Sequence, residues 1–579
     1  MMSPFMTISV RSLAKVLLIV GLPSLSHSLV SAAVDAGALQ QNLEKQLPPA
    51  RTLPEPGKLK PLNVPTPKEG EVTFIVNGFE LEGVSILPES QVQAVLKPYL
   101  GIQLTFSELE KACDAITNLY LANGYSVQAV VLPQSMSKTG GTIKLRITEA
   151  KLSSVVINVL NGENRFSADL VEKYITDANP IGQPLNLNSI ERSLIILNEI
   201  PGVMVSSQLD AGKEQGDTDL KVSLGETPLI QGRTETNNLG SRSTGISQVV
   251  AALSFNNLNG IGDQVALNGI ASEGSQYMHF AYSRPVNTDG LRLGVYGTYL
   301  HYQNIGEYVS PNGAYGYSRT RGLNLSYPMV RTKSTNLNAT LGYDTKSYLN
   351  ELMATNTTNS AYRIQNLVFG MSGNSFDTEG GNAVNNGSLS LTFGYLEIFP
   401  SSINGYGTYT PPHFSKLSFS GSRNQSLDET GKSSLFLALS GQFASVNLNS
   451  GEQFYLGGPY GVRAYPVSQG GGAQGGLATA ELRHQLPDNL TASLFFDAGI
   501  VQQYKHTFNG WQGNTHANNS YSLKGAGIGM KWSEGNWNVS GSIAWKLGKN
   551  PLYSQRGEAV NNDGHTTQPR GWINISYSF

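Results

Sequence analysis

The stretch WNVSGSIAWKL, residues 537–547, alternates apolar and polar side chains along its whole length. One set of alternate positions is mostly apolar: Trp537, Val539, Ile543, Trp545 and Leu547. The other set is small or polar: Asn538, Ser540, Ser542, Ala544 and Lys546. Because successive side chains of a β-strand point to opposite sides, this pattern predicts a strand with one apolar and one polar face.

The same alternation recurs from about residue 229 to the end, for example in LRLGVYGTYL (291–300), LNATLGY (337–343), LSLTFGY (389–395) and SLFLALSGQF (434–443). The polar faces are mostly Ser, Thr, Asn and Gly. Roughly 350 residues, at about 20 per strand and loop, give about 16 strands. This number exceeds that of a soluble β-sandwich, the main alternative, and Tyr, Trp and Phe at the strand ends resemble a membrane-interface girdle. We predict an all-β transmembrane barrel of about 16 antiparallel strands over residues 229–579.

The last strand, WINISYSF (572–579), also alternates and stops on an aromatic residue. Bacterial outer-membrane barrels typically end this way, and the barrel assembly machinery reads that terminus. This resemblance implies that Tyr577 and Phe579 form a C-terminal assembly signal.

Composition excludes several classes of protein. Charged residues are 14% of the chain and the net charge is −2, which gives no sign of nucleic-acid binding. A single cysteine, Cys113, excludes an intramolecular disulfide. The eight histidines lack metal-site spacing, so we expect no metal and no cofactor.

The N-terminus predicts export. Arg11 and Lys15 precede a short apolar run, and SAA (31–33) follows it, which is typical of a signal peptide over residues 1–33. The alternative, a membrane anchor, needs about 20 apolar residues. Residues 34–47 predict a short helix, and the proline-rich residues 48–70 predict an extended linker.

Two repeats lie between the linker and the barrel. Residues 71–150 have the order β-α-α-β-β, with helical periodicity in TFSELEKACDAITNLYLANGY. Residues 151–228 repeat this order. Two copies of one pattern predict tandem small α+β domains.

Two motifs point to a site inside the barrel. The first is LGGPYGVRAYP (456–466), in which glycines surround one arginine; its central residues are Gly461, Val462, Arg463, Ala464 and Tyr465. The second is FFDAGIV (495–501), an F-x-D-x-G-like segment that we assign to Phe496, Asp497 and Gly499. A guanidinium offers a planar fork of donors that matches a carboxylate.

The whole layout resembles the TpsB transporters of two-partner secretion, the haemolysin secretion/activation (ShlB/FhaC/HecB-like) family of the BamA-related superfamily. The resemblance implies two periplasmic POTRA domains, a plug helix at 34–47, and a loop that folds into the lumen so that Arg463 reaches Asp497. The alternative is that Arg463 lies in water on an extracellular loop and pairs with no other residue. Ala464 stands where the family pattern has glycine, which leaves the turn geometry open because alanine tolerates positive φ poorly.

The resemblance also implies the activity: an outer-membrane pore that recognises one unfolded exoprotein, a TpsA-like haemolysin or adhesin, through its POTRA domains and passes it to the cell surface (type Vb secretion). The expected partners are that exoprotein, outer-membrane lipid and the barrel assembly machinery, with no nucleic acid. One alternative is an assembly factor of BamA type. Another is a porin or an enzyme, but no GxSxG elbow is present and GAGIGM (525–530) lies in an alternating strand rather than a nucleotide loop, so we expect no enzyme.

Overall fold

The computed structural model describes residues 35–47, 73–134, 140–160, 162, 164–309, 313–402, 409–512, 518–552 and 561–579. The predicted signal peptide (1–33) and the predicted linker (48–70) lie outside the described residues. Within the described ranges, none of the helices combines the length and apolar character needed to span a membrane.

The N-terminal part contains five helices and seven strands in the described residues. The isolated helix is α1 (Ala36–Glu44). The first repeat comprises β1 (Phe74–Glu82), α2 (Glu89–Leu96), β2 (Gln103–Leu104), α3 (Phe106–Ala122), β3 (Val127–Val131) and β4 (Gly141–Glu149). The second repeat comprises β5 (Lys151–Val159), α4 (Ala168–Ala178), α5 (Leu187–Asn198), β6 (Val203–Ala211) and β7 (Asp217–Glu226).

Each repeat packs two helices on one small sheet. The first sheet has the order β2-β1-β4-β3 and the second β5-β7-β6. Helix α3 begins with a capping box in which Thr105 and Glu108 exchange hydrogen bonds, and α4 begins at its N-cap, Ser167, whose hydroxyl accepts a hydrogen bond from the Leu170 amide. The two-residue strand β2 is additional to the predicted β-α-α-β-β order and is too short to show an alternating pattern.

The C-terminal part is a closed antiparallel barrel, in which each strand pairs with its neighbour along the chain and the last pairs with the first. Its 16 strands are β8 (Ile230–Asn237), β9 (Gln248–Asn256), β10 (Gln264–Ser272), β11 (Ser275–Pro285), β12 (Arg292–Gln303), β13 (Ala314–Arg331), β14 (Thr335–Leu352), β15 (Thr357–Asp377), β16 (Ala383–Ile398), β17 (His413–Ser426), β18 (Ser433–Ala444), β21 (Gln474–Gln485), β22 (Leu490–Gln502), β23 (Ser520–Glu534), β24 (Trp537–Lys546) and β25 (Arg570–Ser578). The short strands β19 (Phe454–Tyr455) and β20 (Gly471–Gly472) pair with each other outside the barrel sheet. The predicted fold class is confirmed.

The barrel strands have the two faces that the alternation predicts. In β24, Trp537 and Trp545 are about half exposed on the outside, whereas Ala544 between them is buried on the inside. Because the barrel is closed, no strand edge is left unpaired. A sheet in hydrocarbon needs this closure, since no water is present there to form hydrogen bonds with its backbone groups.

The second repeat sits on the turns at one end of the barrel. The guanidinium of Arg331, at the end of β13, is fully buried and bonds the Glu199 carboxylate in a charged pair. Arg192 of α5 pairs with Asp289 at 3.0 Å, between β11 and β12. These contacts mark the end of the barrel that faces the repeats.

Helix α1 lies inside the barrel. Its N-cap, Asp35, accepts a hydrogen bond from the Ala38 backbone, and its apolar residues Leu39 and Leu43 are buried. They belong to one cluster with inward-facing wall residues, which include Tyr277, Leu300, Tyr302, Tyr348, Tyr362 and Ile364. The inner wall is therefore apolar where the helix packs, whereas the inward faces predicted from the sequence are mostly small and polar.

Candidate functional site in the barrel lumen

The chain between β18 and β21 folds back into the barrel. We call residues 456–470 the lumenal loop. Within it the Val462 amide donates to the Leu456 carbonyl at 2.7 Å, which closes a tight turn. Leu456, Val462 and Tyr465 are almost completely buried against the inner faces of the last strands. The glycines of the sequence motif are thus part of a packed loop rather than of a solvated one.

Arg463 is held at the centre of this loop by two carboxylates of the barrel wall. Its Nε and Nη2 atoms each lie 2.9 Å from one oxygen of Asp497 on β22. Its Nη1 atom lies 2.9 Å from Glu481 on β21. The Arg463 backbone amide also donates to Asp497, at 3.1 Å. Asp497 is fully buried and the Arg463 side chain is only 15% exposed, so the two-pronged contact is largely shielded from water.

Three further groups position this pair. The guanidinium carbon of Arg463 lies 3.3 Å from the ring centroid of Phe495, so the face of the ring stabilises the cation by a cation–π contact. Thr479 donates to Asp497 at 3.0 Å. The Trp572 indole on the last strand donates to the Arg463 carbonyl at 2.8 Å. The loop arginine is therefore tied to three barrel strands.

One predicted site residue is wrong. Phe496, assigned to the wall motif, is exposed on the outer face. Side chains alternate along a strand, so the residue next to an inward-facing Asp497 points outward. Phe495 is the aromatic residue that shares the inner face with Asp497 and Gly499. The F-x-D-x-G spacing itself starts at Phe495, and with the period of two it could have identified this residue from the sequence.

The open question about Ala464 also has a structural answer. Ala464 is not among the residues with positive φ, so its side chain imposes no strain on the turn. It is 1% exposed and packs against Gly525, where an added Cβ would lie 2.6 Å from the Ala464 Cβ. Gly499 plays the same part beneath Leu456, whose side chain would lie 2.6 Å from an added Cβ. The glycines of GAGIGM thus include one that makes room for the loop, which sequence reasoning missed.

The two loop tyrosines differ. Tyr465 is buried, and the Lys546 ammonium lies 5.1 Å from its ring centroid. Tyr460 is half exposed.

Helix α1 and the lumenal loop meet at the turn formed by Ser450–Glu452, which leads into the loop. Ser450 donates to the Asp35 carboxylate at 2.6 Å, and Gln41 of the helix donates to the Ser450 carbonyl at 3.1 Å. The two backbones nearly touch, since a Cβ on Gly37 would lie 2.6 Å from the Gly451 nitrogen. The helix also bonds the barrel wall, because its Ala36 amide donates to the Asn350 side chain of β14.

The same turn is anchored to the wall by a buried charge cluster. Glu452 lies 2.9 Å from Lys346 on β14 and 2.7 Å from Lys416 on β17. Its side chain is 3% exposed, so burial without these two partners would be costly. Sequence reasoning missed this cluster because its members lie on separate strands and have no shared motif.

The predicted C-terminal signal residues lie at the seam of the barrel. Phe579 and Gly232 of β8 exchange two backbone hydrogen bonds, each 2.9 Å long. The Phe579 ring covers Gly232, where an added Cβ would lie 2.2 Å from it. The Tyr577 ring packs on Trp537 with centroids 4.9 Å apart. Aromatic cover of a strand glycine is a known stabiliser of sheet pairing.

The sequence matches the family of haemolysin secretion/activation proteins ShlB/FhaC/HecB over residues 216–532, more than half of its length. The chain belongs to this family. Residues 74–150, the first repeat, match the ShlB-type POTRA domain. The family consists of transporters, and the chain is an outer-membrane transporter of two-partner secretion with its POTRA region in the periplasm of a Gram-negative cell. The predicted identity, function and location are confirmed, and the BamA-type alternative is less favoured.

Individual relatives agree with this assignment. The chain is 26% identical over 538 residues to the heme/hemopexin transporter protein HuxB of Haemophilus influenzae, covering 89% of this chain and 92% of the relative. It is 24% identical over 451 residues to the outer membrane transporter CdiB of Dickeya dadantii, covering 75% and 77%. Among solved structures, CdiB from Escherichia coli superposes with a TM-score of 0.73 at 19% identity, over 95% of this chain and all of that one. This last likeness concerns the fold.

No group of three or more His, Cys, Asp or Glu side chains with the arrangement of a metal site occurs among the residues that the structure describes. Two carboxylates of the lumen, Asp497 and Glu452, are instead paired with cations: Asp497 with Arg463, and Glu452 with Lys346 and Lys416.

Proposed function

We propose that this structure is the closed resting state of an exporter for one unfolded exoprotein, in which α1 plugs the lumen and the lumenal loop is fixed by Arg463. The observation that carries the proposal is that both segments lie inside one closed barrel and meet at the turn Ser450–Glu452. A chain crossing the barrel has to pass the space that they occupy, so export requires the lumen to be cleared, and in this proposal α1 is the segment that leaves it.

In this proposal the Arg463–Asp497 pair fixes the conformation of the loop. The pair is nearly dry, and removing either partner leaves the other as an uncompensated buried charge, which costs about 3–5 kcal/mol. Glu481 offsets part of that cost when Asp497 is lost, but it cannot accept the two parallel bonds that Asp497 accepts. The loop therefore has one strongly preferred position against the wall.

Helix α1 is the more mobile of the two plugs in this account. It is nine residues long, too short to be stable alone in water, and depends on the barrel for its packing. The proline-rich residues 48–70 would span roughly 70 Å if extended, enough for the helix to leave the lumen while it stays attached.

The two repeats are proposed to receive the exoprotein. Strand β3 lies at one edge of the first sheet and pairs only with β4, and Val130 on it is exposed. An unfolded chain can add to such an edge through its main-chain groups. The alternative is that the repeats act only as spacers.

The proposed cargo is a TpsA-like exoprotein, such as a haemolysin or an adhesin. HuxB is named as a heme/hemopexin transporter and CdiB as an outer membrane transporter; both names describe transporters, which agrees with an export function. We also propose that the protein contacts outer-membrane lipid, that the barrel assembly machinery reads Tyr577 and Phe579, and that the chain catalyses no reaction.

The test is secretion of the partner exoprotein by cells that carry the wild type, Arg463→Ala or Asp497→Ala, with equal outer-membrane levels and heat-modifiable folding. Arg483→Ala is the matched control, because Arg483 also pairs with Glu481, at 3.0 Å, but does not touch the loop. We expect both loop-pair variants to fold and to lose most secretion, and the control to secrete normally.

Normal secretion by both loop-pair variants would show that the pair is incidental to export. A different result would favour the assembly-factor function: no secretion by the wild type, together with misassembly of other barrels in its absence.

A further inference from the structure

Two arginines face outward from one barrel strand near its far end. On β13, Ser318 and Thr320 are buried toward the lumen, so the alternate residues Arg319 and Arg321 point away from it, and both are exposed. Leu323, the next outward residue, is 48% exposed, as expected of a lipid-facing side chain. The arginines therefore lie on the outer wall, next to its apolar surface.

The position of these arginines along the strand places them at the level of the outer leaflet. The opposite end of β13 carries Arg331, which pairs with Glu199 of the second repeat. Between the two ends the outward residues are Leu323, Leu325, Tyr327 and Met329, a stretch of about 20 Å along the strand. A transmembrane barrel has an apolar band about 25 Å tall. Because barrel strands tilt by about 35–45°, the ten residues from Met329 to Arg319 rise about 25 Å. Arg319 and Arg321 therefore lie at the outer edge of the apolar band, on the side away from the periplasmic repeats.

The two arginines have different neighbours on the adjacent strands. Arg321 is flanked by Gly297 on β12 and Thr345 on β14, both of which are small. Arg319 is flanked by Tyr299 and Ser347. Its guanidinium carbon lies 4.6 Å from the ring centroid of Tyr317 and 5.6 Å from that of Tyr299, contacts that hold a guanidinium in place without neutralising it.

The charge of this patch is not balanced by the protein. Among the residues that the structure describes, neither Arg319 nor Arg321 has a carboxylate within ion-pair distance, and the next cation along the row, Arg363, is paired with Glu397 at 3.4 Å. Glu351 on the same face pairs in register with Tyr315, four residues from Arg319 and so about 13 Å along the strand. Two exposed guanidinium groups without a carboxylate partner, at the edge of the apolar band, offer a positive site at the level of the lipid headgroups.

We propose that Arg319 and Arg321 form a binding site for the phosphate groups of the outer-leaflet glycolipid. Guanidinium matches phosphate in a two-pronged geometry, the small neighbours Gly297 and Thr345 leave space for a sugar-phosphate headgroup, and Leu323 lies where the acyl chains of the same lipid would pack. The site is on the outside of the barrel and is independent of the export path through the lumen.

The experiment is native mass spectrometry of the full-length protein released from detergent micelles, titrated with bisphosphorylated lipid A. The same acylated sugar without phosphates and inorganic phosphate alone are the comparison probes. The test variant is Arg319→Gln/Arg321→Gln. The matched control is Arg284→Gln, which removes an exposed outward arginine at the other end of the barrel, on β11. Heat-modifiable migration confirms that each variant is folded.

We expect bound lipid A on the wild type and on Arg284→Gln, and a loss of affinity of at least about tenfold in the double variant, because two charge-assisted contacts are removed. The double lysine variant Arg319→Lys/Arg321→Lys should bind lipid A with intermediate affinity, because it keeps the positive charges but loses the planar, two-pronged donor geometry of the guanidinium groups. Should the double glutamine variant fail to fold, the lysine variant and each single substitution provide the same comparison. Equal binding of the dephosphorylated lipid, or unchanged binding by the double glutamine variant, would overturn the proposal. Equal competition by inorganic phosphate would also overturn it as a lipid site.

Discussion

At the scale of single residues, the lumenal site depends on how closely the loop approaches the wall. Arg463 can form two parallel bonds with Asp497 only because Ala464 lies flat against Gly525 and Leu456 lies over Gly499. The two wall glycines are thus as necessary for this site as the charged pair. They let the loop backbone lie close to the wall, and the ion pair then holds the loop in that position.

The first prediction concerns this close approach. Gly525→Ala should impair secretion and loosen the loop, because the new Cβ would lie 2.6 Å from the Ala464 Cβ, and overpacking of this kind costs about 1–3 kcal/mol. Ala464→Gly alone should change little, since Ala464 does not need positive φ. Protease sensitivity of the loop and exoprotein secretion are the measurements.

The double variant Ala464→Gly/Gly525→Ala provides the control, because it removes the colliding methyl group and should restore secretion. A double variant as defective as Gly525→Ala alone would show that the defect does not come from this contact.

Part of this site could be predicted from the sequence. Arg463 and Asp497 were predicted as a pair because two short motifs resemble those of the family. The phenylalanine was misassigned by one position, although the period of two was sufficient to choose Phe495. Glu481 and Trp572 were missed because contacts between distant strands depend on barrel register, which no local pattern shows.

At the scale of secondary-structure elements, helix α1 and the turn Ser450–Glu452 form one contact. The helix bonds the turn through Asp35 and Gln41, and the turn is anchored to the wall through Glu452. Movement of the helix therefore removes packing from the segment that leads into the lumenal loop.

The second prediction tests this contact. Gly37→Val should push α1 away from the turn, because even a Cβ at this position would lie 2.6 Å from the Gly451 nitrogen and 2.8 Å from the Ser450 hydroxyl. We expect a higher single-channel conductance in planar bilayers. Lys111→Ala, a change at an exposed residue of the first repeat, should leave conductance unchanged. Identical conductance of Gly37→Val and wild type would contradict the closed-plug account.

The third prediction concerns the first repeat, where Glu149 ties β4 to the loop after β1. Burial alone would raise the pKa of the Glu149 carboxyl, but hydrogen bonds from the Ser85 hydroxyl, the Ile86 and Ser85 amides and the Tyr120 hydroxyl outweigh it and hold the pKa below its ordinary value of 4.5. A carboxyl with a lowered folded-state pKa stabilises the fold above its ordinary pKa, and this contribution is lost as pH falls through the lowered value.

Glu149→Gln should therefore lower the melting temperature of the repeats near neutral pH, and its difference from wild type should shrink as pH falls below 4.5. Far-UV circular dichroism can follow this transition, because four of the five described helices belong to the repeats. A difference that is constant across this pH range would show that the ionised carboxylate is not the stabilising species.

At the scale of the whole molecule, the sequence alone predicted the fold class, because lipid on one face and a lumen on the other produce alternation along many of the barrel strands. The strand number followed from chain length. The placement of α1 could not follow from its own sequence, since the wall residues that receive it, such as Tyr302 and Tyr348, come from separate strands. The buried contact between Arg331 and Glu199, which seats the second repeat on the barrel, was likewise invisible before the fold was known.

The central claim is that α1 must leave the lumen for export, and a reversible crosslink tests it most directly. The Ala36 amide donates to the Asn350 side chain of β14 at 2.9 Å, so Ala36→Cys/Asn350→Cys should form a disulfide that holds the helix on the wall. The natural Cys113 is replaced by serine, and each single-cysteine variant serves as a control. The oxidised double variant should fail to secrete the exoprotein, and reduction should restore secretion to the level of the controls. Secretion at the control rate with the crosslink fully formed would contradict the claim that the helix has to move.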